Sequence, residues 1–147
     1  MVDGIGELTG LNAYVVESTG GVFNGFSLQY ILGQVFRLFA FAMGVEWQET
    51  LQVGSLIGQK TVINEFVAYL SLAEMKADGV LSQKAIVIST YALCGFANFS
   101  SIAIQIGGIG GMAPERQSDL SKLGLRALMA ATLATMMTAT IAGALFG

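Results

Sequence analysis

An all-α, polytopic membrane fold follows from three observations on the sequence. The chain of 147 residues is 54% hydrophobic and 12% charged, with a mean hydropathy of +0.67; a soluble domain usually carries about 25% charge. Residues 85–114 contain no charged side chain, and an uncharged run of that length reads as a membrane span. Polar residues nevertheless sit in its middle, as Cys94-Gly95-Phe96-Ala97-Asn98-Phe99-Ser100-Ser101. Fully helical, this stretch would extend about 45 Å, well beyond the ~30 Å hydrocarbon core. The helix over 85–113 is therefore either tilted or discontinuous, broken near Gly95 and the polar cluster. Broken transmembrane helices occur where backbone lines a protein-enclosed cavity, and carriers use them to hold a substrate at mid-depth. Transport is accordingly the leading expectation.

The remaining elements follow in chain order. Residues 1–26 are glycine-rich and weakly periodic, which predicts a membrane-face loop. Met1 to Glu7 lacks a basic segment followed by an apolar run, so it is no secretory signal. It does not resemble the start of a membrane protein either, and a fragment is expected. Ser27 is placed to cap a helix within 27–45. With apolar residues nearly all round, and at about 16 residues, this helix is short for a span. It reads as interfacial or re-entrant, with Arg37 reaching toward headgroups and Glu46 and Trp47 marking a water–lipid boundary.

Residues 48–73 read as two short apolar helices, 48–57 and 62–73, parted at Gly58-Gln59-Lys60-Thr61. Neither is long enough to cross, so together they predict a re-entrant helical hairpin. Glu74 to Lys84 reads as a polar loop with an Asp78-Gly79 turn. Pro114 closes the long uncharged segment, and Ser118 or Asp119 is a candidate cap for a last, scaffold transmembrane helix over 120–146. Small residues recur on it in two stripes, Ala130/Ala134/Thr138/Ala142 and Ala131/Thr135/Ala139/Gly143, a pattern that lets helices approach closely in lipid. Arg116, Lys122 and Arg126 place the loop before it on the cytoplasmic side.

Several chemistries are excluded. The chain has no histidine and one cysteine, which rules out Ser-His and Cys-His catalysis within it and leaves no structural zinc set. A lone intramembrane carboxylate without a paired acid or base is poor catalytic machinery, so an enzyme is not expected. Seven scattered basic residues form no nucleic-acid stripe. Gly107-Gly108-Ile109-Gly110-Gly111 lacks the Lys-Ser/Thr of a phosphate loop and follows no strand. Cys94 reads as a small packing residue.

The chemistry-bearing candidates are few. Asn64-Glu65 stands among Val62, Ile63, Phe66, Val67 and Ala68; a carboxylate so placed costs roughly 2.5–3.5 kcal/mol on insertion scales. Glu65 could accept hydrogen bonds from substrate hydroxyls, coordinate a cation or carry a proton; the structural alternatives are a salt bridge to Lys60 and an exposed position near the interface. Phe96, Asn98 and Ser101 offer a ring, an amide and a hydroxyl, with Asn98 and Ser101 on one face if helical. The amide's donors and acceptors suit a polyhydroxylated ligand, although Asn and Ser also glue membrane helices together.

At these motifs the sequence resembles the C-terminal part of a concentrative nucleoside transporter. The matching strings are Gly54 to Lys60, Asn64-Glu65-Phe66-Val67-Ala68-Tyr69, Ala92 to Ile102, Leu123 to Ala127 and Ala139 to Gly143, and the likeness runs from about Ser27 to the end of the chain. The resemblance implies a cation-coupled nucleoside symporter of the plasma (inner) membrane. Sodium would be the coupling cation, and the full-length protein a homotrimer. It implies that Glu65, Asn98 and Ser101 contact the ribose, that Phe96 lines the pocket, and that Asn64 belongs to the same group. The family's base-recognising residues and most of its sodium ligands lie in an earlier hairpin and broken helix with no counterpart in this chain. Because such carriers hold substrate between two repeats, this half alone is not expected to complete transport. The alternatives are a proton-coupled nucleoside carrier, with Glu65 as the proton site, and a non-transporting membrane subunit built on the small-residue helix.

Overall fold

The computed structural model describes residues 10–18 and 27–147, and every regular element among them is helical. In order these are α1 (Leu11–Ser18), α2 (Leu28–Ala42), a 3₁₀ turn (Trp47–Glu49), α3 (Thr50–Val62), α4 (Glu65–Ala77), α5 (Gln83–Leu93), α6 (Phe99–Met112), a second 3₁₀ turn (Pro114–Arg116) and α7 (Gln117–Phe146). The membrane-face loop expected over 1–26 is corrected at Leu11–Ser18, which form a helix. This segment contains neither glycine nor proline, and Val15 is buried. The rest of that stretch lies outside the described residues.

Glycine decides how closely α2 and α3 approach. A Cβ at Gly54 would lie 2.6 Å from the Gly33 carbonyl oxygen, and one at Gly58 only 2.3 Å from the Leu32 Cβ. This contact corrects the expected helix break at Gly58–Thr61. Gly58 is there to admit a neighbouring helix, and α3 continues through it to Val62. The chain turns instead at Ile63-Asn64. The Asn64 side-chain oxygen accepts from the Val67 N–H at 3.0 Å and opens α4, as a helix-capping amide does.

Helix α4 runs on through Glu74–Ala77, where a loop was expected, and ends at Asp78. Gly79 has φ +67°; the Val80 N–H bonds to the Met75 carbonyl at 3.0 Å and the Gly79 N–H to Lys76 at 3.3 Å. This is the left-handed closing turn that glycine permits and that satisfies terminal carbonyls. Arg37 finds its partners inside the protein: its guanidinium lies 4.0 Å from the centre of the Trp47 ring and donates to the Thr50 hydroxyl at 3.3 Å.

One hydrophobic core joins these elements. Ala40 of α2 and Met43 at its end, Val53, Leu56 and Ile57 of α3, Ala68 and Leu72 of α4, Ala85, Ile88, Ala92 and Leu93 of α5, and Met136 and Ala139 of α7 pack together. Of the two small-residue stripes on α7, the packed one is Thr135/Ala139/Gly143: a Cβ at Gly143 would sit 2.7 Å from Ile88 Cγ1, whereas Ala130, Ala134 and Thr138 are exposed. The last helix begins at Gln117, directly after the 3₁₀ turn, with neither Ser118 nor Asp119 as its cap; Asp119 pairs with Arg116 at 2.9 Å instead. Counted with that turn, Pro114–Phe146 is the one helix among the described residues long and apolar enough to cross a membrane.

These contacts predict opposite results for two glycine-to-alanine changes. Gly58→Ala forces a methyl into Leu32, an overpacking defect of about 1–3 kcal/mol, and lowers the thermal midpoint of the purified protein. Gly108→Ala meets nothing within 4 Å and, by helix propensity of up to about 1 kcal/mol, holds or raises it. Equal midpoints for both variants would contradict the close α2–α3 contact.

Candidate functional site

Two interruptions in the helices face each other. The first is the Ile63-Asn64 turn between α3 and α4. The second is Cys94–Asn98, which separates α5 from α6. Gly95 makes the second possible: its φ of +112° belongs to the left-handed region that glycine enters without steric cost. Asn98 is extended, and its side-chain oxygen accepts from the Ser101 N–H at 2.7 Å to open α6. Both second helices thus begin with an asparagine cap, and each N-terminus presents the positive end of a helix dipole.

Glu65 and Asn98 join the two interruptions. Asn98 Nδ2 donates to Glu65 Oε2 at 2.7 Å, while Asn98 Oδ1 accepts from both the backbone N–H and the hydroxyl of Ser101, the latter at 2.9 Å. A carboxylate only accepts and a backbone N–H only donates, so the amide can sit in one orientation only. Asn98 is 2% exposed, and Glu65 stands in the first turn of α4, where helix polarity favours a carboxylate. Ser100 adds a further link, its hydroxyl donating to the Ile63 carbonyl at 3.1 Å. Among the described residues Glu65 Oε1 has no hydrogen-bond partner, so one carboxylate oxygen remains able to accept.

The structure thus brings Glu65, Asn98 and Ser101 into one hydrogen-bonded chain. Phe96 borders it: with Asn98, Ser101, Gln105, Gly124 and Leu128 it lines a cavity of about 100 Å³, and the residue is 77% exposed. Asn64 stands beside Glu65, with its side-chain oxygen committed to capping α4. Lys60 forms no direct ion pair with Glu65. It is 2% exposed and donates to the Ala92 carbonyl at 2.9 Å and to the Thr135 hydroxyl at 3.3 Å.

Sequence reasoning missed Gln105, which lies two turns beyond Asn98 on α6, and Thr135, which belonged to a stripe read only as packing. A polar residue inside an uncharged run was the available signal for both. The Gln59–Ser71 bond at 2.9 Å, which ties α3 to α4, was likewise unseen.

Polar side chains gathered at paired helix interruptions, in an apolar all-helical chain, are the arrangement with which membrane carriers line a substrate cavity. The family described as Na+ dependent nucleoside transporter C-terminus matches residues 3–143. The chain belongs to this family of nucleoside transporters. It is 53% identical over 138 residues to the uncharacterized transporter YutK of Bacillus subtilis, covering 90% of this chain and 34% of that protein. It is 45% identical over 132 residues to human solute carrier family 28 member 3, covering 81% and 19% respectively. Among solved structures, CNTnw in an inward-facing substrate-bound state superposes with a TM-score of 0.77 at 44% identity, over 93% of this chain and 33% of CNTnw. A CNTnw variant in an outward-facing state gives 0.78 at 40% identity, over 96% and 37%. The chain therefore spans about a third of the length of YutK and CNTnw, and these relatives are transporters in membranes.

The Glu65–Asn98 bond can be tested by exchange of donor and acceptor. Asn98→Asp keeps a capping oxygen but sets carboxylate against carboxylate, and is expected to lose about 1.5–3 kcal/mol. Adding Glu65→Gln restores a donor and recovers most of that loss. Thermal unfolding of the two single variants and the double variant measures the coupling; strictly additive losses would contradict a direct bond.

Proposed function

We propose that these residues form the C-terminal half of a sodium-coupled nucleoside symporter and supply the ribose-contacting part of its substrate site. The observation that carries this reading is the Glu65–Asn98–Ser101 chain. It leaves a carboxylate oxygen and a serine oxygen facing the break, both able to accept from vicinal hydroxyls. Charge-assisted hydrogen bonds of this kind are strong where water is excluded. Phe96, exposed beside them, supplies an apolar wall for the same ligand.

In this reading α3 and α4 are the arms of a re-entrant hairpin, α5 and α6 are the halves of a discontinuous transmembrane helix, and α7 is scaffold. The base-recognising groups and most of the sodium ligands belong to the preceding part of a longer protein, which assembles as a homotrimer in the plasma (inner) membrane. One cation moving down 100 mV supplies about 2.3 kcal/mol, enough to concentrate a neutral nucleoside roughly fiftyfold. The hairpin and the broken helix form the part that moves against the scaffold.

The test is uridine uptake into vesicles carrying the full-length protein, with and without a sodium gradient. Sodium-driven uptake is expected, reduced at least tenfold in Glu65→Gln and more mildly in Ser101→Ala. Undiminished uptake in Glu65→Gln would remove the ribose-contacting role. Uptake driven by a proton gradient and indifferent to sodium would replace sodium coupling with proton coupling.

A further inference from the structure

The nucleoside reading makes no use of Lys60, yet Lys60 is the largest fully buried side chain among the described residues. An ammonium so enclosed is expensive to desolvate unless its donors are matched. Its partners are specific. The last four carbonyls of a helix lack intrahelical donors, and at the end of α5 three of them are accounted for individually. The Tyr69 hydroxyl of α4 donates to Thr90 at 2.8 Å. The Cys94 N–H closes on Tyr91 at 3.2 Å. The third carbonyl, Ala92, receives Lys60 at 2.9 Å. Thr135 of α7 completes the ammonium's surroundings and in turn donates to the Thr132 carbonyl at 2.9 Å.

Carbonyls at the C-terminal end of a half-helix are what carriers use to coordinate mobile coupling cations. At this break a cation already sits there, and it is covalently part of the hairpin. We propose that Lys60 is a tethered cation: its ammonium fills the cation position at the end of α5, joins α3, α5 and α7, and so positions the Ile63-Asn64 turn and the Asn98 break without an ion bound in this half. The inference rests on the nucleoside reading for its consequence, though not for the site itself. The electrostatic layout agrees with it. The positive Lys60 lies at the C-terminal ends of α3 and α5, and the negative Glu65 at the N-terminal ends of α4 and α6, each opposite in sign to the helix ends it meets. The turn between α3 and α4 is thereby flanked by one basic and one acidic side chain, Lys60 and Glu65.

The experiment uses the full-length transporter purified in detergent, with Lys60→Ala and Lys60→Arg. Thermal midpoint and uridine affinity are measured in choline chloride, in sodium chloride and in sodium chloride with n-propylammonium, at equal ionic strength. Lys60→Ala is expected to lower the midpoint and weaken uridine binding at least tenfold. n-Propylammonium should raise its midpoint by several degrees, leave that of the unsubstituted protein unmoved, and return uridine affinity to within about threefold. Lys60→Arg, which keeps the charge, should bind within threefold of the unsubstituted protein. Unchanged uridine affinity in Lys60→Ala, or a loss that no added cation repairs, overturns the proposal. If Lys60→Ala is not recovered folded, Lys60→Arg decides: retained binding supports the tethered cation, and lost binding or failure to fold assigns Lys60 to packing alone. An unsubstituted protein that binds no uridine would reject the nucleoside reading, while the propylammonium response would still decide the cation site.

Discussion

Four helix ends, the C-termini of α3 and α5 and the N-termini of α4 and α6, meet inside an apolar chain, and their backbone groups need partners that lipid cannot supply. Each unsatisfied group there costs several kcal/mol. The polar residues of this segment answer that requirement almost one by one. Asn64 and Asn98 cap the two N-termini; Tyr69 and Lys60 meet the carbonyls at the end of α5; Ser100 meets the carbonyl of Ile63. The same side chains that make the interruptions tolerable also join them to each other.

This economy links stability to function. A helix interruption is useful to a carrier because it exposes directional groups at depth, and it is costly for the same reason. Glu65 and Asn98 resolve the conflict by bonding each other at 2.7 Å while keeping unused acceptor capacity. Around them the packing is close and glycine-dependent: Gly54 and Gly58 seat α3 on α2, Gly143 seats α7 on α5, and Gly124 seats α7 on Ile102 of α6. Without a hydrophobic drive between helices in lipid, such close approach is what holds them together. In contrast, α6 leaves Ile104 and Met112 largely exposed.

The candidate site was legible to an unusual degree because membrane sequences offer few reasons for a polar residue. Glu65, Asn98 and Ser101 stood out against apolar neighbours, and the structure links Glu65 and Ser101 through Asn98. The errors have a common cause. Gly58 was read as a breaker by its identity, but a glycine in a helix is a breaker or a contact depending on what lies opposite, and here Leu32 lies opposite. Ser118 and Asp119 were read as caps by their type, although the turn at Pro114 had already started the helix. Lys60 was read through Glu65, its sequence neighbour, while its partners at Ala92 and Thr135 are distant in sequence.

Composition, the uncharged run over 85–114 and the polar residues within it determined by themselves that this is a helical membrane protein whose long segment is either tilted or broken, because the cost of polarity in lipid is local and can be counted along the chain; that it is broken, at Cys94–Asn98, came from the structure. Which glycine is a turn, which stripe of α7 is packed and which carbonyls receive the Lys60 ammonium were decided only by the tertiary structure. Those outcomes depend on close approach between segments far apart in sequence, and the chain's local chemistry fits more than one such arrangement until its helices have packed.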